Sequence, residues 1–131
     1  MNFEDEKDYI MRAIKEMVRV LFSMLFGKKF VSVEQTDENK YEVSGKKLTA
    51  FKEMVDQGLI NEAENILLDG IDYTQVNEVA AAALFYQYLG EKEDDFLLQH
   101  GYSREEVLDG IRQLLQNAGY GDLAEIMDST L

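Results

Sequence analysis

The segment 9–26 constrains the fold more than any other part of this chain. It reads YIMRAIKEMVRVLFSMLF, which is far more apolar than one surface helix requires. Apolar residues such as Ile14, Val18 and Leu21 recur at three- and four-residue spacings, the period of an amphipathic α-helix. The second half, from Val20 to Phe26, is apolar on nearly every side. Such a surface has to be covered by later helices, a second copy, another protein or a membrane surface.

Three interpretations of this helix follow from its apolar surface. It packs as core against the C-terminal helices, it forms a homodimer, or it lies on a membrane surface. A self-complementary helix is a simple route to twofold symmetry, so a homodimer is the expected assembly. The candidate interface residues on that helix are Val20, Phe22, Leu25 and Phe26. Basic residues on and just after the helix suit anionic lipids, whereas the acids ahead of the apolar stretch and the acidic remainder of the chain oppose them.

The rest of the chain predicts an all-α fold. There is no proline, the strongest helix breaker, and 131 residues suit one domain, here 1–131. We expect a long N-terminal helix over 5–27, an irregular connector or short hairpin over 28–47, and helical hairpins over 48–131. We expect these hairpins to form either a right-handed stack of helical pairs or an irregular bundle.

Local signals place several element boundaries. The residues TDEN at 36–39 would form the turn of the hairpin in the connector, with Val43 in its second strand. Asp72 or Thr74 can cap the helix that contains AAAALFYQYL, and Ser103 begins a capping box with Glu106. Ile66 and Val76 are expected to face inward from their helices.

Two resemblances rest on longer motifs. The run Gly58-Leu59-Ile60-Asn61-Glu62-Ala63 resembles the middle of a tetratricopeptide repeat, although the closing proline of that family is missing. The segments KDYIMRAIKEM, GKK and INEAENILL, with the late start at Tyr102 to Glu106, resemble a family of small uncharacterised bacterial proteins. This second resemblance implies an all-helical fold and assigns no activity, so no functional residue follows from it.

Charge is divided unevenly along the chain. Residues 53–131 contain three basic and seventeen acidic residues, a net charge of −14, whereas residues 1–52 have a net charge of +1. The acidic part would repel phosphates, so we expect no nucleic-acid binding. It permits docking to a basic partner, or an acidic decoy for a nucleic-acid-binding protein. The absence of cysteine and the acidic N-terminus, unlike a secretory signal, favour a cytoplasmic location.

No constellation of catalytic residues stands out. His100 is the one histidine, so a metal site or an acid–base pair built on histidine or cysteine has no second member. The acidic run at 91–95 lacks the ligand pattern of a calcium loop. We therefore expect no enzyme, no metal and no cofactor. The expected function is a non-enzymatic protein-interaction or self-assembly module with an unknown protein partner; a peripheral membrane adaptor and the acidic decoy are the alternatives.

Overall fold

Six α-helices and one small β-hairpin make up the part of the chain that the structure describes. The structure is a computed structural model, and it describes residues 3–27 and 40–122, with side chains from residue 8 onwards. In chain order the elements are α1 (Phe3–Phe26), β1 (Glu42–Val43), β2 (Lys46–Lys47), α2 (Leu48–Asp56), α3 (Ile60–Gly70), α4 (Val76–Gly90), α5 (Asp94–Gln99) and α6 (Arg104–Asn117). The all-α class is confirmed.

Helix α4 is the centre of the fold. Its segment from Val79 to Tyr86 is buried without interruption, as expected for a helix that is apolar on all sides. It packs against α1, α2 and α6, and α1 also packs against α6. In a linear repeat stack each unit contacts only its neighbours, whereas here the first and last described helices touch. The arrangement is therefore the irregular bundle rather than the stack.

The long N-terminal helix is confirmed and begins two residues before the predicted start. It ends at Phe26, where the amide of Gly27 donates to the carbonyl of Ser23 at 2.9 Å. Its inward stripe includes Ile14, Met17, Val18 and Leu21, all buried in the shared core. This stripe explains why the chain needs so much apolar surface at its start, because two other helices cover it.

A short hairpin precedes α2 at the end of the predicted connector. β1 and β2 pair antiparallel, with Val43 opposite Lys46. Ser44 and Gly45 form the turn with φ of 50° and 84°, and positive φ at both positions is typical of a type I′ turn. The predicted TDEN turn at 36–39 lies outside the described residues.

Three local predictions on α3 and α4 are wrong. Ile66 and Val76 were expected inside, but each is 45% exposed. Helix α4 has Gln75 at its N-cap and no side-chain cap. The Asp72 carboxylate instead accepts bonds from the amide and hydroxyl of Thr74, at 2.9 and 2.6 Å. Asp72 thus closes an Asx turn in the loop, three residues before the N-cap position of the helix.

The turn between α2 and α3 depends on Gly58. Its φ of +86° is a conformation that side chains disfavour, and the imidazole of His100 lies directly against its Cα face. The predicted helical hairpin is present here as local geometry. A relationship to the tetratricopeptide family stays a prediction.

Candidate functional site

A cleft of about 350 Å³ lies between α3 and α6, with α4 beneath it. Its chemistry comes from three tyrosines and three carboxylates, and we name it the tyrosine cleft after them. These residues are Tyr73, Tyr86, Tyr102, Glu64, Glu106 and Asp109. The volume is at the small end of the range of roughly 300–1,000 Å³ typical of ligand pockets. It suits a guest of one or two side chains.

Glu64 is held in the cleft by two buried phenols. The hydroxyl of Tyr86, from α4, donates to Glu64 Oε2 at 2.7 Å, and that of Tyr102, from the loop before α6, donates to the same oxygen at 3.0 Å. The two tyrosines are only 1% and 4% exposed. Because both donors are fixed by the core, the carboxylate of Glu64 has a fixed position as well.

The two phenols are suited to donating hydrogen bonds and poorly suited to releasing protons. Burial, reinforced by the neighbouring Glu64 carboxylate, raises the pKa of Tyr86 and of Tyr102 well above the usual value for tyrosine. Both therefore stay protonated at neutral pH. A general base near pH 7 would need the opposite shift.

The remaining polar groups of the cleft are partly engaged. Glu106 accepts from the backbone amide of Ser103 at 2.8 Å within the predicted capping box, which is confirmed. Asp109 pairs with Arg112 at 3.2 Å. The hydroxyl of Tyr73 accepts from Asn117 at 3.2 Å. Glu64 therefore differs from the other two carboxylates in being held by neutral donors from the core.

Sequence reasoning missed this site. Glu64 is one of several acids on a short amphipathic helix, and nothing in the sequence links it to Tyr86 or Tyr102, which lie 22 and 38 residues away. The one available signal was Tyr86 within the apolar run of α4, because a buried tyrosine hydroxyl needs a partner. Its partner could be found only after the helices were placed.

The four candidate interface residues on α1 occupy two different environments. Phe22 is fully buried within the chain, with its ring centroid 6.3 Å from that of Tyr41. Val20, Leu25 and Phe26 are half-buried and pack against the same core. Phe22 therefore acts as core in a single chain, whereas the other three retain some accessible surface. Self-association through α1 stays a prediction.

His100 and the acidic run have local structural contacts. The His100 ring packs on Phe96, with centroids 4.8 Å apart, and lies over Gly58. From the run at 91–95, Asp94 forms an ion pair with Arg104. Arg104 is 4% exposed and also donates to the carbonyls of Gly90, at 3.3 Å, and of Lys92. Burial lowers the pKa of this guanidinium. The contacts of Arg104 connect the turn after α4 to the start of α6.

A second polar cluster lies on α2, on α4 and in the turn after α4, and its polar side chains bond to one another. The ammonium of Lys92 donates to Asp56 at 2.6 Å and lies 4.7 Å from the centroid of the Tyr88 ring. The hydroxyl of Tyr88 donates to the same carboxylate at 2.6 Å. The hydrogen bond from Lys92 lowers the pKa of Asp56. This cluster already contains its own cation, whereas no described residue that lines the tyrosine cleft is basic.

Within residues 3–27 and 40–122, no group of three or more histidine, cysteine, aspartate or glutamate side chains is arranged to bind a metal ion. Among the helices of the same residues, none is both long enough and apolar enough to cross a membrane.

The sequence matches one family model over residues 4–119, described as a family of unknown function (DUF6483). The chain belongs to this family. The match confirms the predicted membership of an uncharacterised family. It includes every residue that lines the tyrosine cleft, so the cleft lies within the DUF6483 domain. No curated protein and no solved structure matches the chain.

Proposed function

We propose that this protein is a non-enzymatic interaction module that binds a partner protein through the tyrosine cleft. The observation that carries the proposal is the fixed Glu64 carboxylate, held at 2.7 and 3.0 Å by two phenols from the core. A polar group held in place before binding loses little conformational freedom when a partner arrives. The cleft is also open to solvent through the exposed Gln113 and Asn117 on α6.

The chemistry of the cleft supports binding better than catalysis. Tyr86 and Tyr102 are kept protonated by burial. Neither histidine nor cysteine lines the cleft. Tyrosine is enriched where proteins bind one another, because its ring supplies apolar contact and its hydroxyl a hydrogen bond. The cleft has these features on its walls.

Photo-crosslinking from the cleft tests the proposal. A photoreactive amino acid replaces Gln113, which lines the cleft, and the full chain is irradiated in its native cells. The matched control carries the same group at Gln116, an exposed glutamine on the same helix outside the cleft. We expect a discrete protein adduct from position 113 and none from position 116. Equal labelling at both positions, or no adduct at 113, would contradict binding through the cleft.

Self-association through α1 is a second proposal, and the burial of Phe22 makes that residue unsuitable for testing it. Replacing Phe22 with glutamate would unfold the core whether or not the chain dimerises. Leu25→Glu is more informative because Leu25 is half-buried. Light scattering across a dilution series should show a dimer for the full chain and a folded monomer for Leu25→Glu. A full-length chain that is monomeric at every concentration would exclude this route.

A further inference from the structure

We infer that the tyrosine cleft takes the ammonium group of a lysine side chain from the partner. The inference rests on the proposed function and names the chemistry that the cleft recognises. The supporting observation is the cavity together with the acids that line it. The walls combine aromatic and apolar side chains such as Tyr73 and Leu68 with polar ones, and Glu64 adds a fixed carboxylate.

Among the described residues, the lining of the cleft provides no cation. None of the residues from 40–122 that line it is lysine, arginine or histidine. Arg112 pairs with the lining residue Asp109 but does not itself line the cleft. At the second polar cluster, by contrast, Lys92 already neutralises Asp56. The carboxylate of the second cluster is therefore already paired with a cation, whereas Glu64 has no cationic partner among the described residues.

Glu64 has one oxygen left for such a cation. Both phenols donate to Oε2, and no donor among residues 3–27 and 40–122 is bonded to Oε1. A charge-assisted hydrogen bond to a carboxylate is roughly twice as strong as a neutral one. A cation at Oε1 would add such a bond without breaking either phenol bond. The tyrosine rings on the walls would add cation–π attraction.

The geometry favours lysine over arginine. A guanidinium binds best when both oxygens of a carboxylate are free, because it donates two parallel hydrogen bonds. Oε2 of Glu64 already accepts two bonds, so only a single-point contact remains. An ammonium is a compact point charge and suits one acceptor oxygen. Its four-carbon stem would lie along the aromatic and apolar walls.

Model compounds test the chemistry on the full chain. Nα-acetyl-lysine methylamide, the corresponding arginine and norleucine compounds, and spermidine are titrated separately into ¹⁵N-labelled protein, at equal ionic strength, while amide shifts are recorded. Norleucine has a stem like that of lysine without the charge. We expect saturable shifts at cleft residues such as Gly110 and Gln113 with the lysine compound. We expect them to be weaker with arginine and absent with norleucine.

Two variants, each lacking one negative charge, distinguish binding in the cleft from general attraction to the acidic chain. In Glu64→Gln the amide oxygen can still accept from both phenols, so the fold should persist while the charge is lost. Glu62→Gln removes one charge from the same helix at an exposed position outside the cleft. We expect Glu64→Gln to weaken lysine binding about tenfold, the loss of one charge-assisted bond, and Glu62→Gln to leave it within about twofold.

Several outcomes overturn the inference. Equal weakening by both variants would mean diffuse attraction to the acidic part of the chain. Norleucine binding as tightly as lysine would make the cleft an apolar pocket, and tighter arginine binding would refute the single-acceptor argument. Spermidine binding without lysine binding would identify a free polyamine as the ligand. An adduct at position 113 in cells combined with any of these results would leave the proposed function intact and remove only the lysine chemistry.

Discussion

Gly110→Ala should destabilise this protein although it introduces the better helix former. Gly110 lies inside α6, where an added Cβ would be 2.4 Å from Cε1 of Tyr86 and 2.7 Å from its Cζ. Carbon atoms in ordinary contact are about 3.5–4.0 Å apart. The tyrosine ring therefore has to move by about 1 Å or more, or α6 has to shift away from α4.

The magnitude follows from what holds that ring. Tyr86 is 1% exposed, its centroid is 5.4 Å from that of Phe85, and its hydroxyl is bonded to Glu64 at 2.7 Å. Overpacking of a core costs about 1–3 kcal/mol, and weakening a hydrogen bond to a charged acceptor adds about 1.5 kcal/mol. The higher helix propensity of alanine offsets about 1 kcal/mol of this loss. The net loss is about 2 kcal/mol, or roughly 6–10 °C in Tm for a chain of this size.

Urea unfolding followed by circular dichroism measures this loss in two backgrounds. In the chain with the natural Tyr86, Gly110→Ala should lower the free energy of unfolding. In a Tyr86→Leu background the ring is gone, and the same substitution should raise that free energy by up to about 1 kcal/mol. The sign should therefore reverse. The reasoning is refuted if Gly110→Ala stabilises the natural chain, or if its effect is equal in both backgrounds.

Three further predictions concern a cap, a titration and the core. Ser103→Ala removes the capping box with Glu106 and should cost about 1 kcal/mol in urea unfolding; an unchanged midpoint would contradict this cap. The raised pKa values of Tyr86 and Tyr102 stabilise the fold fully below the unfolded value of about 10, and this contribution is lost as pH rises toward the folded values. Absorbance at 295 nm should therefore show that both phenols ionise only when the chain unfolds. In a variant with phenylalanine at both positions, this alkaline unfolding should occur at a higher pH. Ionisation of all tyrosines while the chain is still folded would refute the prediction. Phe22→Ala should cost about 3–5 kcal/mol by thermal unfolding, and a loss under 1 kcal/mol would show that its site collapses or is accessible.

The sequence predicted the elements that depend on local chemistry. The period of α1 and the capping box of α6 are each encoded within a few residues, and both are confirmed. Ile66 and Val76 were placed wrongly for a related reason. Ile66 lies on the edge of the apolar stripe of α3, and Val76 is the first residue of α4. Only the positions of the neighbouring helices decide whether such a position is covered.

The tyrosine cleft could not be predicted in the same way, because its parts come from three separate segments. Glu64 belongs to α3, Tyr86 to α4, and Tyr102 to the loop before α6. In the sequence each has an ordinary interpretation as a surface acid, a core aromatic or a loop aromatic. Their combination into one hydrogen-bonded group can be recognised only once the packing of α4 against α6 is known.

That packing also links stability to the chemistry of the cleft. Tyr86 is at once a fully packed core residue and a donor to the carboxylate that the partner would meet. Gly110 contributes to both roles, because the absence of a side chain there lets the ring reach Glu64. A substitution that disturbs this contact should weaken folding and cation binding together, whereas Glu64→Gln, which keeps an acceptor for both phenols, should weaken binding more than folding. A ligand that binds only the folded chain raises its stability by mass action. The lysine compound should therefore raise the Tm of the natural protein and leave that of Glu64→Gln nearly unchanged at the same concentration.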